Sequence, residues 1–172
     1  MPISRPRDGE FDRYFGTYVN AVVGDDAFTA LIAQRESSPR FLAAIPETRA
    51  GFRYAPGKWS IREVIGHVAD TERIFSYRML RIARGDETPL ASFDENAYVP
   101  AAGFERRSLA DLAAELFAVR DATIALVRSL DQAVLSRLGT ASGKPISARA
   151  LVWIIAGHEA HHMRVLGEKY LG

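Results

Sequence analysis

The stretch Ser60-Ile61-Arg62-Glu63 does most to limit what this chain can fold into. A serine three residues before a glutamate forms a capping box, in which each side chain satisfies a backbone N–H that the first helical turn leaves unpaired. From it runs an apolar series, Ile61, Val64, Ile65, Val68, Phe75, Met79 and Ile82, at the spacing of one helix face. Gly85 is the expected stop. Ser108 and Asp111 give a second N-terminal signature, and Leu109, Leu112, Leu116, Val119, Ile124, Val127 and Leu130 continue it as a stripe. Asp25 or Asp26 can cap a helix from Ala27 to about Ile45, with Pro39 as its weak point. A last helix is predicted from Ser147 to about Tyr170, and Phe11, Tyr14, Phe15 and Tyr18 mark a short helical piece ahead of Gly24.

No alternating run bounded by turn signals reads as a strand. Residues 85–107 and 139–145 read as loops. The first is long enough to be functional, and its Phe93, Asp94, Glu95, Asn96 and Tyr98 suit it to line or cover a pocket. The expectation is an all-α protein, a four-helix bundle with an extra short N-terminal helix, in which residues 1–172 form one domain and 1–10 an irregular lead-in.

Composition removes several function classes. Lys and Arg total 22 against 21 acidic residues, so bulk charge does not mark a nucleic-acid binder. There is no cysteine, which excludes disulfides, a catalytic thiol of the chain's own and any thiolate metal site. No apolar stretch approaches the roughly 20 residues of a membrane span. The N-terminal residues carry no secretory apolar core, so a cytoplasmic location is expected.

The chemistry concentrates in the last helix. Three of the four histidines fall within Gly157-His158-Glu159-Ala160-His161-His162. His158 and His162 are four residues apart, which stacks their rings on one face. The fourth, His67, lies on the helix that follows the capping box. Three imidazoles from two facing helices can hold a divalent metal and leave open positions for water or substrate, unlike a closed structural site. His67, His158 and His162 are therefore the candidate ligands. His161 points about a third of a turn away and is expected to face solvent or another subunit. Asp70, Glu72 and Arg73 are read as members of intrahelical or interhelical ion pairs, with orientation of a ligand histidine as the alternative.

The run His158-Glu159-Ala160-His161-His162 also satisfies the H-E-x-x-H pattern of zinc peptidases. Only ten residues follow His162 to supply a further ligand, and no edge strand is expected to hold a peptide. A peptidase is set aside on these grounds, and Glu159 is expected to face solvent or a neighbouring helix.

Four segments carry a resemblance: Tyr54-Ala55-Pro56-Gly57-Lys58-Trp59-Ser60, Gly66-His67-Val68-Ala69-Asp70-Thr71-Glu72-Arg73, Phe93-Asp94-Glu95-Asn96-Ala97-Tyr98-Val99, and Ala156-Gly157-His158-Glu159-Ala160-His161-His162. In order and spacing they resemble the DinB/YfiT-like superfamily of metal-dependent proteins, from about Tyr14 to the end. The resemblance implies a four-helix bundle of up-down-down-up connectivity, a metal held by His67, His158 and His162, and a homodimer. Members with a known activity are similar to S-transferases or an isomerase that use bacillithiol or mycothiol. A nucleophile arriving on a cosubstrate suits a chain without cysteine.

The leading expectation is a metal-dependent S-transferase that joins a low-molecular-weight thiol to an electrophilic small molecule, using zinc, nickel or iron. The alternatives are a metal-dependent hydrolase and a non-catalytic dimeric metal-binding bundle. Neither a nucleic-acid nor a membrane partner is expected, and no residue is assigned a catalytic role beyond metal binding.

Overall fold

The computed structural model describes residues 2–172. Four long helices build the bundle: α2 (Ala27–Ala43), α3 (Ile61–Ala83), α5 (Leu109–Arg128) and α7 (Ala148–Val165). The short helix α1 (Gly16–Ala21) precedes the bundle, and α4 (Glu95–Ala101) and α6 (Gln132–Leu135) lie in the connections before and after α5. The capping box is formed: Ser60 N–H donates to Glu63 Oε2 at 2.6 Å while the Ser60 hydroxyl accepts from Glu63 N–H at 3.4 Å. Asp26, Ser108 and Ser147 cap α2, α5 and α7. Pro39 is accommodated within α2 at a half-exposed position. The last helix ends as one π-helical turn over Leu166–Leu171.

The order of helices around the bundle is not their order in the chain. Each of α2 and α3 packs on both α5 and α7. Side-chain pairs give the directions. Gln34 donates to the Ala156 carbonyl and, one turn on, Ser38 to Glu159, so α2 and α7 run together. Phe28 lies under Arg128 while Leu42 clusters with Leu109, so α2 and α5 are antiparallel. Ile61 and Ile65 cluster with Leu109 and Leu112, and Glu72 meets Arg120, so α3 and α5 run together. The beginning of α3 meets the end of α7, with Ile61 beside Leu166 and His67 beside His158 and His162. The result is the up-down-down-up arrangement.

Every residue of α7 from Ala148 to Glu159 is buried, which makes it the central helix. α1 crosses it so closely that Gly157 is required: a Cβ there would lie 1.8 Å from the Tyr18 carbonyl oxygen. The lead-in before α1 is irregular but anchored. Ile3 is buried, and the Trp153 indole N–H donates to the Ile3 and Ser4 carbonyls at 3.0 and 2.9 Å.

Two segments depart from expectation. Residues 138–147 form an antiparallel hairpin, β1 (Leu138–Ala141) and β2 (Lys144–Ser147), where a loop was expected. Gly143 takes a left-handed φ of 73° at its tip. Each strand is four residues long, too short for alternation to show. The 85–107 segment is likewise not all loop, because Asp94 caps α4 within it. Leu90 bonds to the backbone of Thr140 and Ser142, which ties this segment to the hairpin. Among the described residues, no helix is long and apolar enough to cross a membrane.

Candidate metal centre

The three imidazoles that the sequence singles out converge. His67 Nε2 lies 3.1 Å from His158 Nε2, and His162 Nε2 lies 3.2 Å from the same atom. One ligand atom from each ring falls within 4.8 Å of the others. An ion with bonds of about 2.05 Å to nitrogen sets its ligands about 2.9 Å apart at right angles and about 3.3 Å apart in a tetrahedron. The two separations lie within that interval.

The electrostatics fit a cation as well. Burial pushes His67 down to about 4 and His162 down to about 3. Burial also holds His158 well below the usual histidine range, with the other imidazoles adding to the effect. All three rings are thus neutral at pH 7, with nitrogen lone pairs free to coordinate. The Thr71 hydroxyl lies 3.3 Å from His67 Nδ1. With the Thr71 hydroxyl accepting a hydrogen bond from Nδ1–H, His67 keeps the tautomer whose Nε2 lone pair is bare for a metal. Tyr18 packs edge-on against His158, and Trp59 lies over His67 with centroids 4.6 Å apart.

Glu159 is buried rather than facing solvent, and it belongs to a charged cluster one turn from the imidazoles. Arg120 Nη2 lies 2.5 Å from Glu159 Oε2, and Arg120 also grips both oxygens of Glu72 at 2.8 Å. Ser38 donates to the other Glu159 oxygen, and Gln34 accepts from Arg120 at 3.1 Å. Burial raises the Glu159 pKa, and Arg120 opposes it. Glu159 is therefore engaged as a brace between α7, α5 and α2, and the peptidase reading of H-E-x-x-H fails on geometry. Arg73 pairs with Asp70 at 3.3 Å and Glu115 at 2.6 Å, so Asp70, Glu72 and Arg73 are ion-pair residues as expected. His161 is half-buried against Tyr18 and stays outside the triad.

Two separate cavities reach the centre. One, of about 310 Å³, is lined by His67, Thr71, Phe75, Arg78, Phe93 and His158 among others. The second, of about 460 Å³, is lined by Trp59, Tyr54, His161, His162 and Tyr170 among others. Tyr98 packs on Phe93 from outside the first cavity, at 5.7 Å between ring centroids. Arg78 is a site residue that the sequence reading passed over, although it sits in register with the buried stripe of α3.

The sequence model of the DinB superfamily matches residues 30–166. The chain belongs to the DinB superfamily. Among solved structures, YfiT from Bacillus subtilis, described as "a probable metal-dependent hydrolase with an unusual four-helix bundle topology", aligns with a TM-score of 0.72 and 18% identity over 95% of this chain and 89% of its own. The mycothiol-dependent maleylpyruvate isomerase aligns at 0.66 and 17% identity, covering 84% of this chain and 59% of the isomerase. The DinB-like protein YjoA from Bacillus subtilis aligns at 0.56 and 19% identity, covering 83% of this chain and 92% of its own. No curated protein matches the chain in sequence. At these identities the alignments establish the DinB fold.

Proposed function

We propose that this DinB superfamily member is a metal-dependent enzyme that joins a low-molecular-weight thiol to an electrophilic small molecule. His67, His158 and His162 hold a divalent ion, with zinc, nickel and iron all suited to an imidazole set. The ion supplies Lewis acidity, lowering the pKa of a thiol brought to it. The observation that carries the reading is the pair of cavities meeting at one triad. His67 and His158 are walls of one, and His162 is a wall of the other. Two approaches to one triad suit a reaction that brings a thiol and an electrophile together.

The chain's own residues hold the reactants and exclude water. Phe75 and Phe93 line the first cavity and present apolar surface. Tyr18, whose pKa burial raises to about 12, keeps its proton at pH 7 and serves there as a hydrogen-bond donor rather than a base. The chain supplies no cysteine, so the sulfur comes with the cosubstrate. In the reaction the sulfur forms a bond to carbon of the electrophile, the thiol proton passes to solvent, and the leaving group departs with its bonding pair. The mycothiol dependence of the structurally similar isomerase supports this direction.

The test is turnover of electrophiles such as 1-chloro-2,4-dinitrobenzene by zinc-loaded protein with mycothiol or bacillithiol present or withheld. Thiol-dependent turnover that disappears in His67→Ala is the expected result. Ester hydrolysis without thiol would move the assignment to a hydrolase.

A further inference from the structure

Arg78 is a buried cation without an anion. Its residue is 3% exposed, and no carboxylate among the described residues lies within ion-pair distance of it. Nη2 donates to the Ala91 carbonyl at 2.7 Å and to Ser142 Oγ at 3.3 Å. Among the described residues Nε and Nη1 find no hydrogen-bond partner, and neither is a fully enclosed atom, so both stay open to a ligand. The other buried guanidinium groups are matched: Arg120 holds Glu72 and Glu159, and Arg149 holds Glu10. Burial without a compensating charge lowers the Arg78 pKa, yet a guanidinium stays protonated. A buried unpaired charge is costly, so its position in a cavity wall calls for an occupant.

That position is informative. His67, Thr71, Phe75 and Arg78 form one stripe along α3, and all four line the same cavity. His67 is at one end and Arg78 about 16 Å further along the axis, by helical rise. Phe75 sits between, its ring centroid 6.2 Å from that of His158 and 5.8 Å from Arg78 Cζ. Phe93 closes the other side of the guanidinium, at 5.5 Å. Other charges on the cavity are weaker candidates for this role. Lys144 is largely exposed and lies 3.6 Å from Asp12, while Glu95 is acidic.

We propose that Arg78 is a carboxylate-binding residue, selecting a reactant that carries its anionic group at the end of this cavity remote from the three imidazoles. A planar guanidinium with two ring faces beside it leaves its edges for a ligand, which suits a planar carboxylate bound by paired N–H groups. The reactant then has three parts: a carboxylate at Arg78, an apolar middle against Phe75 and Phe93, and a reacting atom near His67 and His158. The inference takes from the proposed function only that this cavity is the reaction site.

The test uses metal-free protein, so that coordination cannot imitate the effect. Benzoate and benzamide, matched in shape and different in charge, are titrated calorimetrically into wild type, Arg78→Gln, Arg78→Lys and Lys144→Gln. Wild type and Lys144→Gln are expected to favour benzoate by about tenfold or more, Arg78→Gln to bind the two alike, and Arg78→Lys to keep part of the preference. Circular dichroism checks that each variant is folded. An anchoring role alone, through Ala91 and Ser142, would lower the thermal midpoint of Arg78→Gln without changing the benzoate-to-benzamide ratio. Equal or undetectable binding of both probes by wild type, or a preference surviving in Arg78→Gln, overturns the proposal. Such a failure counts against Arg78 alone, since metal binding by the imidazoles is measured separately.

Discussion

Gly157 lies so close beneath the carbonyl of Tyr18 that α1 and α7 touch backbone to backbone, one residue before His158. The consequence reaches the centre, because Tyr18 is also the residue whose ring packs on His158 at 5.1 Å. Gly157→Ala puts a methyl group where the Tyr18 carbonyl stands, and α1 has to move. The expected cost is about 1–3 kcal/mol of stability, as for an overpacked core. Chemical denaturation measures it, and a loss within a few tenths of a kcal/mol would mean that α1 shifts freely.

Arg120 neutralises two buried carboxylates at once. Arg120→Met leaves Glu72 and Glu159 facing each other without a counter-charge, at an expected cost of about 3–5 kcal/mol. The triple variant in which Glu72 and Glu159 also become glutamine should recover much of that loss. Denaturation midpoints of the single and multiple variants check this. Glu159→Gln alone should still bind metal, because Glu159 braces the helix and does not ligate.

The neutral imidazoles also set a pH dependence. His67 falls to about 4 in the fold against 6.5 for an ordinary histidine, and His162 to about 3. Between those values the unfolded chain takes up protons that the folded chain refuses, so stability declines as pH falls from about 6.5 towards 4 and levels off below the folded values. The loss in metal-free protein is on the order of a few kcal/mol. Bound metal competes with the same protons, so metal affinity should fall over the same window. Urea titrations at stepped pH measure the first effect and metal titrations the second. A flat profile above pH 4 would contradict the burial of the rings.

Trp59 reports on the centre directly. Its ring lies over His67, whereas Trp153, the other tryptophan, is in the core and bonded to the lead-in. Nickel added to metal-free protein should quench part of the tryptophan emission, and Trp59→Phe should abolish that response while keeping the Trp153 signal. Quenching that persists in Trp59→Phe would place the ion elsewhere.

The fold was legible where a long stripe and a cap coincide, as from Ser60 to Ile82 and from Ser108 to Leu130. It was illegible where elements are short. The hairpin gives each strand four residues, with Gly139 and Pro145 among them, and α4 is seven residues long with Pro100 inside. The triad could be read because imidazole spacing on a helix is local information and the one remaining histidine, His67, lies on the capped helix that starts at Ser60. The brace around Arg120 could not, since it depends on which helices are neighbours. One signal was present even so. Glu72, Arg78, Arg120 and Glu159 each interrupt an apolar stripe at helical spacing, and all four are buried. A charged residue in register with a core stripe needs a partner across the bundle, or a ligand.

The central claim is that His67, His158 and His162 bind one ion together. Metal content of the purified protein after reconstitution with zinc, set beside His67→Ala, His158→Ala and His162→Ala, tests it most directly. The account predicts one equivalent in the wild type and a loss of affinity of at least about tenfold in each variant, with His161→Ala unchanged. Full retention of zinc in His67→Ala and His162→Ala would contradict it.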